Sequence, residues 1–264
     1  MGVTVLDVMN QLAVPQGKLT ESVDELLAGN PLTEVTGIVV SFMPTLSVIE
    51  RVIARGSNLI VTHEGLYFSH QHGERLYGDS EVCREKMRRI EEAGLAVYRC
   101  HDYWHIVKPD GVTEGLVQSL GWGQYVLERK RIATLVELPS TTLLEVAEHL
   151  KVRLGISYVR AMGDPNQQVR RVAVLSGYRG GGPEVIPLIE RTSPDLVIYG
   201  EGPEWETPEY VRDARYLGHA RSLLVIGHAE SESPGMAALA DRLRNVFPML
   251  RVDFESDAPL FYVV

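Results

Sequence analysis

Two cysteines, Cys83 and Cys100, are all that the 264 residues hold. They are too few for a disulfide framework, and neither lies in a CxxC or CxxH pair, so zinc ligation through paired thiolates is excluded. Cys100 ends the apolar run "LAVYRC", which predicts a buried thiol rather than a reactive one. Cations are also short: 26 Lys and Arg against 35 Asp and Glu give a formal charge of -9. That balance argues against nucleic acid and against an anionic membrane as partners, since both reward clustered Lys and Arg. No apolar stretch approaches the ~20 residues that cross a bilayer. The opening "MGVTVLDVMNQLAVPQ" lacks the basic segment and long apolar core of a secretory signal, so a cytoplasmic protein is expected. There is no low-complexity segment and no flexible linker.

What is present is an alternation of short apolar runs and amphipathic stretches. Val5, Val8, Met9 and Leu12 fall at helical spacing, and Pro15 stops the run. Strand 37–42, helix 45–56, strand 58–62, helix 80–94 and strand 95–100 follow in order. A second series opens near Arg131: strand "RIATLVEL", helix "TTLLEVAEHLKVRLG", strands "YVRAMG" and "VRRVAVLSG", and helix "PEVIPLIERT". Strand 195–201, helix "PEYVRDARYLG", strand 222–229, helix "PGMAALADRLRNVF" and strand "RVDFESD" close it. This predicts an α/β fold of two halves with largely parallel or mixed sheets covered by helices. Residues 1–126 form the first half and 127–233 the second, with 234–264 able to rejoin the first.

In open α/β sheets, ligands collect at the carboxyl ends of strands. Strand 58–62 ends in His63-Glu64, and strand 95–100 in "HDYWH" with His101, Asp102 and His105. Strand 195–199 leads to Gly200-Glu201, and strand 222–227 to "HAESE" with His228, Glu230 and Glu232. A lone strand-end histidine is usually structural; four strand ends that each deliver His or Glu are the signal. Mixed imidazole and carboxylate donors suit Zn, Mn, Fe or Ni better than Ca or Mg. Five or more such donors suggest two divalent ions sharing a water, at the strand ends between the halves. His70 and His72 lie on a polar loop and read as surface, and Glu230 as a solvated neighbour.

The blocks "GIVVSF…NLIVTHEG", "YRCHDYWH", "VAVLSGYRGGGPE", "DLVIYGE" and "VIGHAESESPGMAALADRL" resemble, in order, those of the NIF-three-like dinuclear metal-binding proteins, also called GTP cyclohydrolase I type 2. The resemblance covers nearly the whole chain. It implies metal ligands at His63, Glu64, His105, His228 and Glu232. Two of these depart from the pattern: Glu64 stands at a family histidine, and His105 at a family aspartate. The exchange preserves three imidazoles and two carboxylates, and therefore the charge of the donor set. Glu201 and His101 are expected to move protons, and Asp102 to orient His105 through its ring N–H. The turn holding Arg179, Gly180 and Gly181 opens a helix and offers amides to a phosphate.

The resemblance implies hydrolytic opening of the guanine ring of GTP, or action on another nucleotide, in a hexameric ring of identical chains. Two other readings use the same ligands: a dimetal phosphoesterase, and a non-catalytic metal-binding regulatory or interaction protein.

Overall fold

Strand-forming runs such as "LIVT" carry no charged position on either face, and a strand covered on both sides requires this. The computed structural model describes residues 2–13, 19, 21–71 and 73–264; Pro15 and His72 lie outside the described residues. The elements run α1 (Val5–Ala13), β1 (Leu26–Ala28), β2 (Ile38–Ser41), α2 (Leu46–Ala54), β3 (Leu59–Thr62), α3 (Gly73–Tyr77), α4 (Glu81–Glu92), β4 (Ala96–Arg99) and α5 (Asp102–Ile106). Then come α6 (Gly111–Ser119), β5 (Val126–Arg129), β6 (Thr134–Thr142), α7 (Leu143–Leu154), β7 (Arg160–Met162) and β8 (Gln168–Val174). The series ends with α8 (Gly182–Thr192), β9 (Leu196–Tyr199), α9 (Thr207–Tyr216), β10 (Ser222–Val225), α10 (His228–Val246) and β11 (Val252–Glu255).

The chain forms two units, one of residues 1–111 with 236–258, the other of 112–235 with 259–264. In the first, the sheet order is β1-β4-β3-β2-β11. The four strands β4, β3, β2 and β11 are parallel, and β1 closes the edge antiparallel to β4. Every residue of β2, β3 and β4 is buried. Val39, Ile60 and Val97, in register across the three strands, form the core with Val48, Ile49 and Val52 of α2 and Ile90 of α4. Thr45 and Ser80 cap α2 and α4 by accepting from the third residue's amide, which is why those helices start where they do.

The second unit carries a mixed sheet, β5-β6-β8-β9-β10-β7, with β8, β9 and β10 parallel. Alternation along these strands separates two cores. Val172, Val174, Leu196, Ile198 and Leu224 face one way, and Ala173, Val197, Tyr199 and Leu223 the other, as period-two geometry demands. Thr142 and Glu145 make a reciprocal capping box on α7, and Gly155 ends it in the left-handed region.

Two boundaries differ from the sequence reading. The change of unit falls at Gly111, not near 126, because Leu116, Val117 and Leu120 of α6 bury in the second unit's core. Strand β10 stops at Val225, and α10 begins at His228 and runs through Pro234. Proline favours a helix's first turn, which is why Pro234 reads as a start. The earlier start puts His228 and Glu232 four residues apart on one helix.

Candidate metal centre

In the first unit, three histidines meet where β3 and β4 end. His63 follows β3 and continues its ladder: its amide donates to the Ser41 carbonyl at 3.1 Å, and that of Glu64 to Phe42 at 2.9 Å. The His63 ring is fully buried. His101 follows β4, and His105 lies one helical turn later, its amide donating to the His101 carbonyl at 3.1 Å. Ring centroids are 4.4 Å apart for His63 and His101, 5.1 Å for His63 and His105, and 4.8 Å for His101 and His105. Each ring offers one nitrogen to a set within 4.8 Å of one another. Glu64, His70 and His101 make a second such group.

Carboxylates stand behind two of these rings. His101 Nδ1 lies 2.9 Å from Asp102, and His105 Nδ1 lies 3.1 Å from Asp110. A neutral imidazole whose Nδ1–H donates to a carboxylate presents Nε2 as a ligand atom, the arrangement metal-binding histidines use. The hydrogen bond to His101 holds the Asp102 carboxyl well below the usual carboxylate range, helped by the Val23 amide. With Glu64 at its side, this donor set fits Zn, Fe, Mn or Ni.

The segment bearing His101 is anchored from 77 residues away in sequence. Asp24 Oδ1 accepts from the His101 and Asp102 amides, and Oδ2 from the Tyr103 amide, each at 2.8 Å. It does for α5 what an N-cap side chain does, since His101 makes no such bond. Asp24→Ala is expected to lower stability by about 2–3 kcal/mol, because three amides lose a charged acceptor. Urea unfolding measures this, and an unchanged midpoint would show that water replaces the carboxylate.

In the second unit, His228 is flanked by Glu201 and Glu232. His228 Nδ1 is 3.0 Å from Glu201, and Nε2 is 3.2 Å from Glu232. Gly177 makes the close approach possible. Its φ is +60°, and a Cβ there would fall 2.0 Å from a Glu232 carboxylate oxygen. Ser231 Oγ accepts from the Gly177 amide at 2.8 Å and donates to the His228 carbonyl at 2.7 Å. Along the Gly-rich turn, the Gly180 amide donates to the Glu201 carbonyl, and Arg179 donates to the Thr113 hydroxyl. The Gly182 amide, at the start of α8 beside Gly181, donates to the Glu206 carboxylate at 2.6 Å. The chain's own carboxylate thus stands at the α8 N-terminus.

Of the sequence-predicted residues within the first unit, His63, Glu64, His101, Asp102 and His105 stand together; within the second, His228 meets Glu201 and Glu232. Two expectations need correcting. Asp102 holds His101, not His105; Asp110 holds His105. His70 is exposed, yet its ring lies edge-on 4.7 Å from His101 and it belongs to the second donor group. Partial desolvation of the ring, and then the neighbouring His101, lower its pKa. The loop folds back because buried cations grip its main chain: Lys86 Nζ donates to the Leu66 carbonyl at 3.0 Å, and Arg99 to that of His70 at 3.0 Å. Burial also lowers the Lys86 pKa. Asp24 and Asp110 escaped the sequence reading. Asp110, five residues after His105, was findable by asking which carboxylate lies within reach of each imidazole, whereas nothing local marks Asp24. Cys100 is buried as expected, and burial raises its thiol pKa.

The sequence profile described as Duf34/NIF3 (NGG1p interacting factor 3) matches residues 3–258. A protein of Clostridium perfringens named GTP cyclohydrolase 1 type 2 homolog is 26% identical over 227 residues, spanning 83% of this chain and 82% of the relative. A Chlamydia trachomatis protein of the same name is 21% identical, with 97% and 98% covered. Among solved structures, a Staphylococcus aureus hypothetical protein shares the fold with a TM-score of 0.80 at 20% identity, both chains covered in full.

Proposed function

This chain belongs to the Duf34/NIF3 family, and from that premise we propose that it is a metal-dependent hydrolase acting on a nucleotide. The observation that carries the reading is the imidazole triad of His63, His101 and His105, with carboxylates behind two of its rings. The triad would hold one divalent ion, Zn, Fe, Mn or Ni, and His228 with Glu232 supplies donors for a second. When bound, such an ion lowers the pKa of its water toward ~7 and polarises the atom under attack. Glu64, half-buried and grouped with His101, would accept the proton that such a water gives up. Glu201 fixes the tautomer of His228 through Nδ1, and Asp110 does so for His105.

The relatives' shared name points to GTP. The matching reaction is attack of water at C8 of the guanine imidazole ring, hydrolysis of both C8–N bonds by two waters, and release of C8 as formate. Assembly of identical chains into a hexameric ring belongs to the same reading. Leu260, Phe261, Tyr262 and Val263 stand largely exposed, apolar surface that a subunit contact would cover.

Elemental analysis of the purified protein is expected to find up to two transition-metal ions per chain. Formate release from GTP is expected to vanish on chelation and in both His63→Ala and His228→Ala with folding intact. Full metal occupancy without formate or phosphate release from any of a panel of nucleotides would sink the hydrolase reading in favour of a metal-binding role.

A further inference from the structure

A cavity of about 310 Å³ opens in the first unit beside the imidazole cluster. That volume lies at the small end for ligand sites and suits one ring system rather than a whole nucleotide. Arg99 lines it, with a side chain only 6% exposed. Its Nε donates to the Val23 carbonyl and one terminal nitrogen to that of His70, while the other lies 3.4 Å from Glu25. Two main-chain carbonyls therefore hold the guanidinium plane before any ligand arrives, and such preorganisation strengthens recognition. Gly65 lines the same space. A Cβ there would lie 3.1 Å from an Arg99 nitrogen, so the missing side chain keeps that edge approachable. His70 also lines the cavity, and its ring adjoins His101.

Charge decides what fits. Glu25 and Glu74 border the cavity with Arg99, so carboxylates outnumber the guanidinium and a phosphate would meet net repulsion. A ligand that offers an oxo acceptor to Arg99 and N–H donors to a carboxylate satisfies both signs at once. Leu66 and Tyr67 add apolar walls for a flat ring. We infer that this cavity is a base-recognition subsite, binding an amino-oxo heterocycle of the guanine type through Arg99 and through Glu25 or Glu74. The consequence rests on the hydrolase reading: the base, not the phosphate end of a nucleotide, enters the first unit and stands next to His70. Guanine presents O6 and N7 as acceptors, whereas adenine sets an amino donor at the corresponding position. Arg99 therefore discriminates between them.

Equilibrium dialysis of the whole chain, stripped of metal by chelator, tests this. Guanosine is expected to bind at least tenfold more tightly than adenosine, and inorganic triphosphate is expected not to compete. Arg99→Met is expected to weaken guanosine at least tenfold. Gly65→Val, which keeps the arginine but sets a side chain against its guanidinium, is expected to do the same by filling that approach; far-UV circular dichroism checks both folds. Equal affinity for the two nucleosides, competition by triphosphate, or undiminished guanosine binding in Gly65→Val would each overturn the assignment. Failure here leaves metal content and formate release untouched, and failure of the hydrolase reading leaves metal-free guanosine binding intact, so the two are distinguishable.

Discussion

His101→Ala is expected to abolish metal binding at the first unit's candidate centre while leaving the fold intact. The ring of His101 lies within 5 Å of three others, those of His63, His105 and His70, and it belongs to both donor groups of this unit. Its Nδ1 is committed to Asp102, so a single nitrogen faces either group and cannot serve two ions at once. Removing a carboxylate behind a metal-bound histidine costs roughly 10–100-fold in affinity. Removing the histidine itself is expected to exceed that range, and Asp110→Asn to fall within it through His105. Competition with a chromophoric chelator measures both. A His101→Ala protein that keeps its metal and loses only turnover would make His101 the proton shuttle that its place in the sequence suggests, and not a ligand.

The second large effect is expected at Gly177. Alanine there meets two penalties: a left-handed φ, about 1–2 kcal/mol for a residue with a Cβ, and a Cβ driven into the Glu232 carboxylate. The displaced Glu232 is buried and pairs with His228, so the loss falls on stability and on the second donor set together. We expect Gly177→Ala to destabilise by about 3–4 kcal/mol, in the range of strain at a special backbone position plus a disrupted buried charge. Gly155 is the control. Its φ is +67°, and nothing lies within 4 Å of its Cβ position, so Gly155→Ala carries the backbone penalty alone. Urea midpoints of the two variants measure the difference, and equal shifts would show that Glu232 moves aside freely.

Much of the site was legible because parallel α/β sheets gather ligands at strand ends, and the histidines that follow β3 and β4 can be read off by position. The apolar runs of β2, β3 and β4 announce their burial, and the Thr142–Glu145 box announces the start of α7. Pairings that cross the chain were not legible. Asp24 and the amides it holds are 77 to 79 residues apart in sequence. His70 reads as surface because its neighbours are polar; only the grip of Lys86 and Arg99 on the loop's carbonyls turns its ring toward His101.

The sequence by itself determined the alternation of strands and helices, the family, and the inventory of imidazoles and carboxylates, because periodicity and residue type are local properties. Tertiary structure alone decided which carboxylate stands behind which imidazole, that His228 and Glu232 share one helix, and that a buried arginine borders a cavity beside the cluster. Those facts depend on distances between remote segments, and a side chain's pairing follows from where the fold brings it, not from its neighbours in the chain.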